Sequence, residues 1–440
     1  MEVVWNDPLL IAPTRLPQSK HVVQLGPIAH LDRNHFVPLV LLFEGKVDAA
    51  IVQRAVARSL AVYPVLAGRA IQESGLFKIQ LDPSSVGIRF SEGFCAESLD
   101  RWRINPNVTH WAPRTELYEY CIRKHATKVD ELVADSIPLT HVNLVHLLNG
   151  FILTFSISHM VADITTCFHF LKSMELDLNS PILPSPVATY NPSDSQIKME
   201  IRSKLDWICA SPEPPESNTT PSRLATRHIL NISREKLAIL KQQASNVSVC
   251  PYVSTNDALM GLLWKVFSNL PASTSTNTDV SDFFFYAQYR GMLQPPVQQE
   301  TPGNLITRVP SSTYNLKTTS PLSHYAATIR QSLIEFPSQL PHHLQLLYSR
   351  PEDWKLLNWT HRFDTSFKDS HTISSFSSFA FHEIQFPWGV PVDVVSERPG
   401  SSWGQHVICG DPQGGVRVRV GLTREECDIV VRLMEEENWI

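Results

Sequence analysis

The 440-residue sequence has no run of 18 consecutive apolar residues, and its first residues form neither a basic nor an apolar segment typical of secretory signals. We therefore expect no membrane-spanning helix and a cytoplasmic protein. The seven cysteines are scattered and form no Cys-x-x-Cys pair, so neither a disulfide framework nor a metal site is expected. Walker and Rossmann glycine patterns are missing, and a net charge of −5 gives no reason to expect nucleic acid.

Hydrophobic residues make up 43% of the chain, which is ample for packed interiors. A chain of this length exceeds one ordinary core, so two domains are expected. Segments with strand and helix patterns alternate in both halves, without a sequence repeat. A proline-rich segment over residues 179–222 predicts a crossover between an N-terminal domain of residues 1–178 and a C-terminal domain of residues 223–440. In the second half, a helix is predicted over residues 322–336.

A histidine stands at the end of a predicted buried strand. Residues 151–157 carry no charge and are rich in β-branched and aromatic side chains, and Asn149-Gly150 before them predicts a hairpin with residues 139–148. His159 follows the strand, and Asp163 stands where a helical pattern begins. Strand ends carry the chemistry of many α/β folds, and imidazole suits proton transfer near neutral pH. His159 is therefore a candidate general base, although a lone histidine beside an apolar strand is more often a hydrogen-bonded structural residue.

Six short motifs give this histidine a context. Their order along nearly the whole chain resembles that of the BAHD acyltransferases, and their divergence is most similar to the fungal specialised-metabolism branch. The six are LAVYPVLAGR at 60–69, His159-Met-Val-Ala-Asp163, Ser254-Thr-Asn-Asp257 with Trp264, Tyr286-Ala-Gln-Tyr-Arg290, Pro302-Gly-Asn304 and QFPWGVP at 385–391.

The resemblance implies an α/β fold of two similarly sized domains, each a mixed sheet flanked by helices as in chloramphenicol acetyltransferase. A channel would run between them, and part of residues 370–390 would pack on the N-terminal sheet. The implied activity is transfer of an acyl group, with acetyl expected, from acyl-CoA to a hydroxyl of a small specialised metabolite. Acyl-CoA would be a co-substrate, with no permanently bound cofactor or metal, and the enzyme would be a monomer.

The resemblance also implies roles for individual residues. His159 would be the general base in the middle of the channel. Asp163 would point away from it and form a structural ion pair with Arg290. Ser254 and Thr255 are candidates for coenzyme A binding, and the loop motif includes Phe386, Trp388 and Gly389.

Two segments depart from the family pattern. The family's Asp-Phe-Gly-Trp-Gly reads Gln385-Phe-Pro-Trp-Gly389 here, and its channel-lining Thr-Ser-Trp reads Ser374-Ser375-Phe376. Phenylalanine has no N–H to donate to a developing oxyanion, and losing such a donor costs on the order of 3 kcal/mol. Either Ser374 or Ser375 supplies the donor, or the enzyme is slower, or the channel serves another reaction.

Two alternatives stay open, the first of them suggested by these departures. One keeps the fold and uses His159 in a cyclase, eliminase or isomerase that needs no coenzyme A. The other is a binding protein without catalysis, which retention of the histidine disfavours.

Overall fold

The computed structural model describes residues 2–103, 108–111, 128–175, 225–270, 283–293, 295–311, 319–348, 371–395 and 403–440. The strands in these ranges are β1 (Val4–Trp5), β2 (Leu9–Ile11), β3 (His21–Gln24), β4 (Phe36–Glu44), β5 (Arg69–Glu73), β6 (Leu76–Leu81), β7 (Ile88–Phe94), β8 (His110–Trp111), β9 (Thr140–His146), β10 (Gly150–Ser158), β11 (Thr226–Ile232), β12 (Phe283–Gln288), β13 (Ile306–Ser311), β14 (His371–Phe376), β15 (Asp393–Val395), β16 (Gln405–Gly410) and β17 (Val416–Leu422). The α-helices are α1 (Pro27–Leu31), α2 (Ala49–Val62), α3 (Val129–Ala134), α4 (Ile164–Lys172), α5 (Arg234–Ala244), α6 (Thr255–Phe267), α7 (Leu322–Tyr348) and α8 (Arg424–Glu436).

Two mixed seven-stranded sheets organise the chain. The first sheet has the order β1-β7-β9-β10-β4-β15, with β2 also paired to β7, and the second has the order β13-β12-β14-β16-β17-β11-β8. A three-stranded sheet, β3-β6-β5, stands apart. Parallel pairs, such as β7 with β9 and β12 with β14, occur beside antiparallel ones. The predicted α/β fold with mixed sheets and flanking helices is confirmed.

Each half of the chain lends a strand to the other half's sheet. Strand β15, from the C-terminal half, pairs with β4 in the first sheet, and β8, from the N-terminal half, pairs with β11 in the second. The segment that leads to β15 passes from one sheet to the other. Strand β14 belongs to the second sheet, whereas Phe381, Ile384 and Phe386, which follow it, are buried in the core of the first. The predicted crossover over residues 179–222 lies outside the described residues, and the domain boundaries stay a prediction.

The strand that leads to His159 is central and buried along its whole length. Strand β10 pairs antiparallel with β4 on one side and with β9 on the other, and every one of its residues is buried. The predicted hairpin with residues 139–148 is confirmed: Leu147 N–H donates to the Gly150 carbonyl at 2.8 Å, and β9 and β10 run in register. A rigid strand between two neighbours fixes where the residue after it stands.

Helix α7 continues for three turns beyond its predicted end. It runs through Pro337 and Pro341, although each proline lacks an N–H for the helical ladder. Phe336, Leu340 and Leu344 recur every fourth residue and are buried in the second core. Tertiary packing of this stripe therefore outweighs the local cost of the prolines. Among the described helices, α7 included, none combines the length and apolar character that a membrane crossing needs.

Candidate active site

His159 occupies the turn between β10 and α4. Its backbone N–H donates to the His35 carbonyl at 2.8 Å, which ties this turn to the residue just before β4. The residue is half-buried, and the Nδ1 atom of its ring is buried.

Asp163 begins α4 and points to Arg290 instead of the histidine. Both side chains are fully buried. Arg290 Nη1 donates to Asp163 Oδ2 at 2.7 Å, and Nη2 donates to Oδ1 at 3.0 Å. The N–H of Thr166 donates to Oδ1 and that of Leu305 to Oδ2, each at 2.9 Å. With two donors on each oxygen, the carboxylate has no capacity left to relay a proton.

The same contacts set the charge state of Asp163. Burial alone would raise its pKa, but the Arg290 charge and the hydrogen bonds hold the pKa below its ordinary value. Asp163 is therefore an anion in the folded protein and compensates the buried guanidinium.

Arg290 also fixes the segment around Gly303. Its Nε donates to the Thr301 carbonyl at 3.2 Å, and its Nη2 donates to the Gly303 carbonyl at 3.2 Å. Gly303 has a φ of +146°, a backbone conformation that favours glycine. The Pro302-Gly-Asn304 motif thus serves to lay the second half of the chain against the start of α4.

The sequence analysis missed Asp32 and His35 as functional candidates, and it named Asn304 only as part of the Pro302-Gly-Asn304 motif, without a role. Asn304 Nδ2 donates to Asp32 Oδ2 at 2.9 Å, and His35 Nδ1 lies 3.3 Å from Asp32 Oδ1. Asp32 also interacts electrostatically with His159. The available signal was the Asp-x-x-His spacing just before a strand, but its meaning depends on that strand pairing with β10.

The side chains of residues 374–376 point to the two opposite faces of β14. Ile373 lies in the second core, and the Ser375 hydroxyl donates to Asn256 Oδ1 at 2.7 Å. Because side chains alternate along a strand, Ser374 and Phe376 point the other way, and Phe376 packs against the first core. Of the two serines, Ser374 is the one whose hydroxyl is not committed to α6.

Ser254 and Thr255 stand at the start of α6 and are half-buried. The Ser254 hydroxyl accepts a hydrogen bond from Asp257 N–H at 3.1 Å, and Asp257 Oδ2 accepts one from Ser254 N–H at 2.6 Å. This reciprocal capping gives Ser254 a structural task. A role in coenzyme A binding stays a prediction for both residues.

The loop motif packs on the first core. Phe386 is buried and stacks on Trp388 with ring centroids 5.2 Å apart, and both rings meet Phe43 edge-on. Phe386 and Gly389 exchange two backbone hydrogen bonds, of 3.1 and 2.9 Å, and Gly389 has a φ of +118°. The aromatic residues and the final glycine are the parts of the motif that this packing uses, while Gln385 is exposed.

Within the described ranges, no three histidine, cysteine or carboxylate side chains are grouped so that they could hold a metal ion.

A family model and two curated proteins match this chain over most of its length. The model of the Transferase family matches residues 13–437. The chain belongs to the Transferase family. Hydroxycinnamoyltransferase 1 of Oryza sativa subsp. japonica is 25% identical over 404 residues, which cover 88% of this chain and 85% of that protein. The BAHD acyltransferase DCR of Arabidopsis thaliana is 22% identical over 85% of this chain and 76% of its own. The resemblance to BAHD acyltransferases is confirmed, as is the prediction of an acyltransferase enzyme.

The fold agrees with solved structures. TRI101 of F. sporotrichioides, in complex with coenzyme A and T-2, has a TM-score of 0.72 and 17% sequence identity to this chain. The match covers 95% of this chain and 99% of that one. At this identity the likeness shows the fold, so residue roles must come from the geometry above.

Proposed function

We propose that this enzyme transfers an acyl group, acetyl in the first instance, from acyl-CoA to a hydroxyl of a small specialised metabolite, with His159 as general base. The observation that carries the proposal is the division of labour within the His-x-x-x-Asp motif. Asp163 is fully committed to Arg290, whereas His159 is half-buried at the end of a rigid strand. The imidazole is therefore the group of this motif that can exchange a proton with a substrate.

The proposed transfer uses a single base, His159, and forms one new bond, to the thioester carbonyl carbon. The acceptor's hydroxyl proton passes to His159 while its oxygen forms a bond to the thioester carbonyl carbon. The carbon–sulfur bond breaks, and the same proton goes to the departing thiolate. General-base assistance of this kind contributes about 10²- to 10⁴-fold, and holding both substrates together lowers the barrier further.

Ser374 is our candidate donor to the oxyanion that forms on the carbonyl oxygen. It lies on the strand face opposite Ser375, whose hydroxyl is bound to Asn256. Ser254 and Thr255, at the start of α6, are our candidates for contacts with coenzyme A, because backbone N–H groups at a helix start favour phosphate. For the biological setting we propose a monomer in the cytoplasm of a fungus, with no metal or resident cofactor.

The experiment supplies acetyl-CoA and longer acyl-CoA donors with a panel of hydroxylated acceptors. Free thiol is followed with a chromogenic disulfide, and the product mass is measured. We expect thiol release that depends on the acceptor, and a product heavier than the acceptor by one acyl group. A product that forms without coenzyme A and keeps the acceptor's mass would establish the cyclase or isomerase alternative instead.

A further inference from the structure

Asp32 is a second acidic residue close to the proposed base. It is 9% exposed and lies at the C-terminal end of α1. Strand β4 runs antiparallel to β10, with Phe36 opposite Ser158, so the residues before β4 stand beside the residue that follows β10. The hydrogen bond from His159 N–H to the His35 carbonyl, 2.8 Å long, fixes this neighbourhood.

The Asp32 carboxylate is held in place by an amide and an imidazole. Asn304 Nδ2 donates to Oδ2 at 2.9 Å, and His35 Nδ1 lies 3.3 Å from Oδ1. Asn304 belongs to the segment that Arg290 fixes through the Gly303 carbonyl. Hydrogen bonds thus connect the Asp163–Arg290 pair to Asp32 through the Gly303–Asn304 segment.

The charge that acts most strongly on Asp32 is that of the proposed base. Burial alone would raise the pKa of Asp32, but a protonated His159, with the contacts of His35 and Asn304, lowers the pKa to about 2. The other titratable or charged groups near Asp32 are the His35 imidazole, 3.3 Å from Oδ1, and the adjacent Arg33, whose charge interacts with Asp130. The Asp163 carboxylate is paired with Arg290. A proton on His159 would therefore meet the negative charge of Asp32, on which His159 acts more strongly than His35 does.

We propose, on the basis of the function above, that Asp32 acts on the base as a positioning residue through its charge: its carboxylate stabilises the imidazolium formed when His159 accepts the acceptor's proton. Asp163 cannot do this, because both of its oxygens are occupied by other donors. The two acidic residues then have different roles. Asp163 holds the site together through its ion pair with Arg290, and Asp32 stabilises the protonated base.

The test replaces Asp32 by asparagine, which keeps the size and removes the charge. We expect kcat to fall about 100-fold while KM for acyl-CoA stays within about threefold, since the lost interaction forms only as the proton moves. The acid limb of the kcat–pH profile should move to lower pH by about one unit, because without the carboxylate the imidazolium is less stable. A histidine NMR titration should show the same shift for the His159 ring, independently of turnover.

The matched control is Asp393→Asn. Asp393 is also buried, but its partner is Arg417, which pairs with Asp411 as well. This variant should lower stability, leave kcat within about threefold of wild type and leave the acid limb in place.

Two results would overturn the proposal. One is an Asp32→Asn enzyme with wild-type kcat. The other is a reduced kcat with an unmoved acid limb and an unmoved His159 titration, which would make Asp32 a structural residue only. Should Asp32→Asn not fold, Asn304→Ala, which frees the carboxylate from its amide, must lower kcat and shift the same limb, and an unshifted limb there has the same meaning.

The proposed function is tested separately in the same assay. A wild-type enzyme that transfers acyl groups and loses this activity in His159→Ala keeps the function, whatever Asp32→Asn does. Turnover that survives His159→Ala overturns both, since Asp32 would then have no base to serve.

Discussion

Removal of the Arg290 guanidinium should be among the most damaging single changes in the described part of the protein. Arg290→Met leaves Asp163 fully buried with only the N–H groups of Thr166 and Leu305 as donors, both at 2.9 Å. Removing one partner of a buried ion pair costs about 3–5 kcal/mol, a large share of the 5–15 kcal/mol that stabilises a typical protein. We expect this loss in urea unfolding followed by tryptophan fluorescence, with the unfolding slope unchanged.

A second change distinguishes an unpaired charge from general damage. Replacing both partners, as Asp163→Leu with Arg290→Met, leaves no buried charge, so the double variant should be more stable than the sum of the single losses by about 2 kcal/mol or more. The control is Arg432→Met, which breaks the exposed pair with Glu436 and should cost less than about 1 kcal/mol. A loss below about 1 kcal/mol for Arg290→Met, or additive losses in the double variant, would refute the argument.

Three further predictions concern the oxyanion donor, acid stability and backbone strain. Ser374→Ala should lower kcat by about 10²- to 10³-fold, whereas Ser375→Ala should change kcat by less than about threefold, because the Ser375 hydroxyl is bound to α6. Steady-state rates of the two variants test this. Equal losses would contradict the assignment of Ser374, and not Ser375, as the oxyanion donor. Burial lowers the pKa of His30 to about 4 and that of His406 well below its ordinary value, so each contributes stability that is full above about pH 6.5 and is lost as pH falls. The free energy of unfolding should therefore decrease by about 1.4 kcal/mol per pH unit between pH 6 and 4.5 from His30 alone, with a further decrease in the same direction from His406, and a flat profile there would argue against their neutral burial. Gly303→Ala should cost about 1–3 kcal/mol in urea unfolding, since its φ of +146° is unfavourable for alanine although the nearest neighbour of a new Cβ is 3.7 Å away; an unchanged midpoint would disprove the strain.

Local patterns in the sequence were sufficient to predict the buried strand before His159 and the helix start at Asp163. The charge-free segment before His159 predicts a buried strand because burial on both sides leaves no place for charged side chains. The capping aspartate marks the start of α4, because its oxygen satisfies the Thr166 N–H. Both signals depend on residues only a few positions apart.

Contacts between residues far apart in the chain could not be predicted from the sequence. Asp32 is 127 residues from His159 in the chain, and only the antiparallel register of β4 and β10 brings them together. The choice between Ser374 and Ser375 likewise depends on which face of β14 meets α6. The helical continuation through Pro337 and Pro341 depends on tertiary burial, which local propensity does not contain.

The most direct test of the catalytic account compares His159→Ala with wild type in two measurements on the same preparation. Acyl transfer is followed by thiol release, and coenzyme A binding is measured by calorimetry. The account predicts a kcat about 10²- to 10⁴-fold lower with a Kd for coenzyme A within about threefold of wild type. A variant that turns over within about tenfold of wild type would contradict the assignment of His159 as the base.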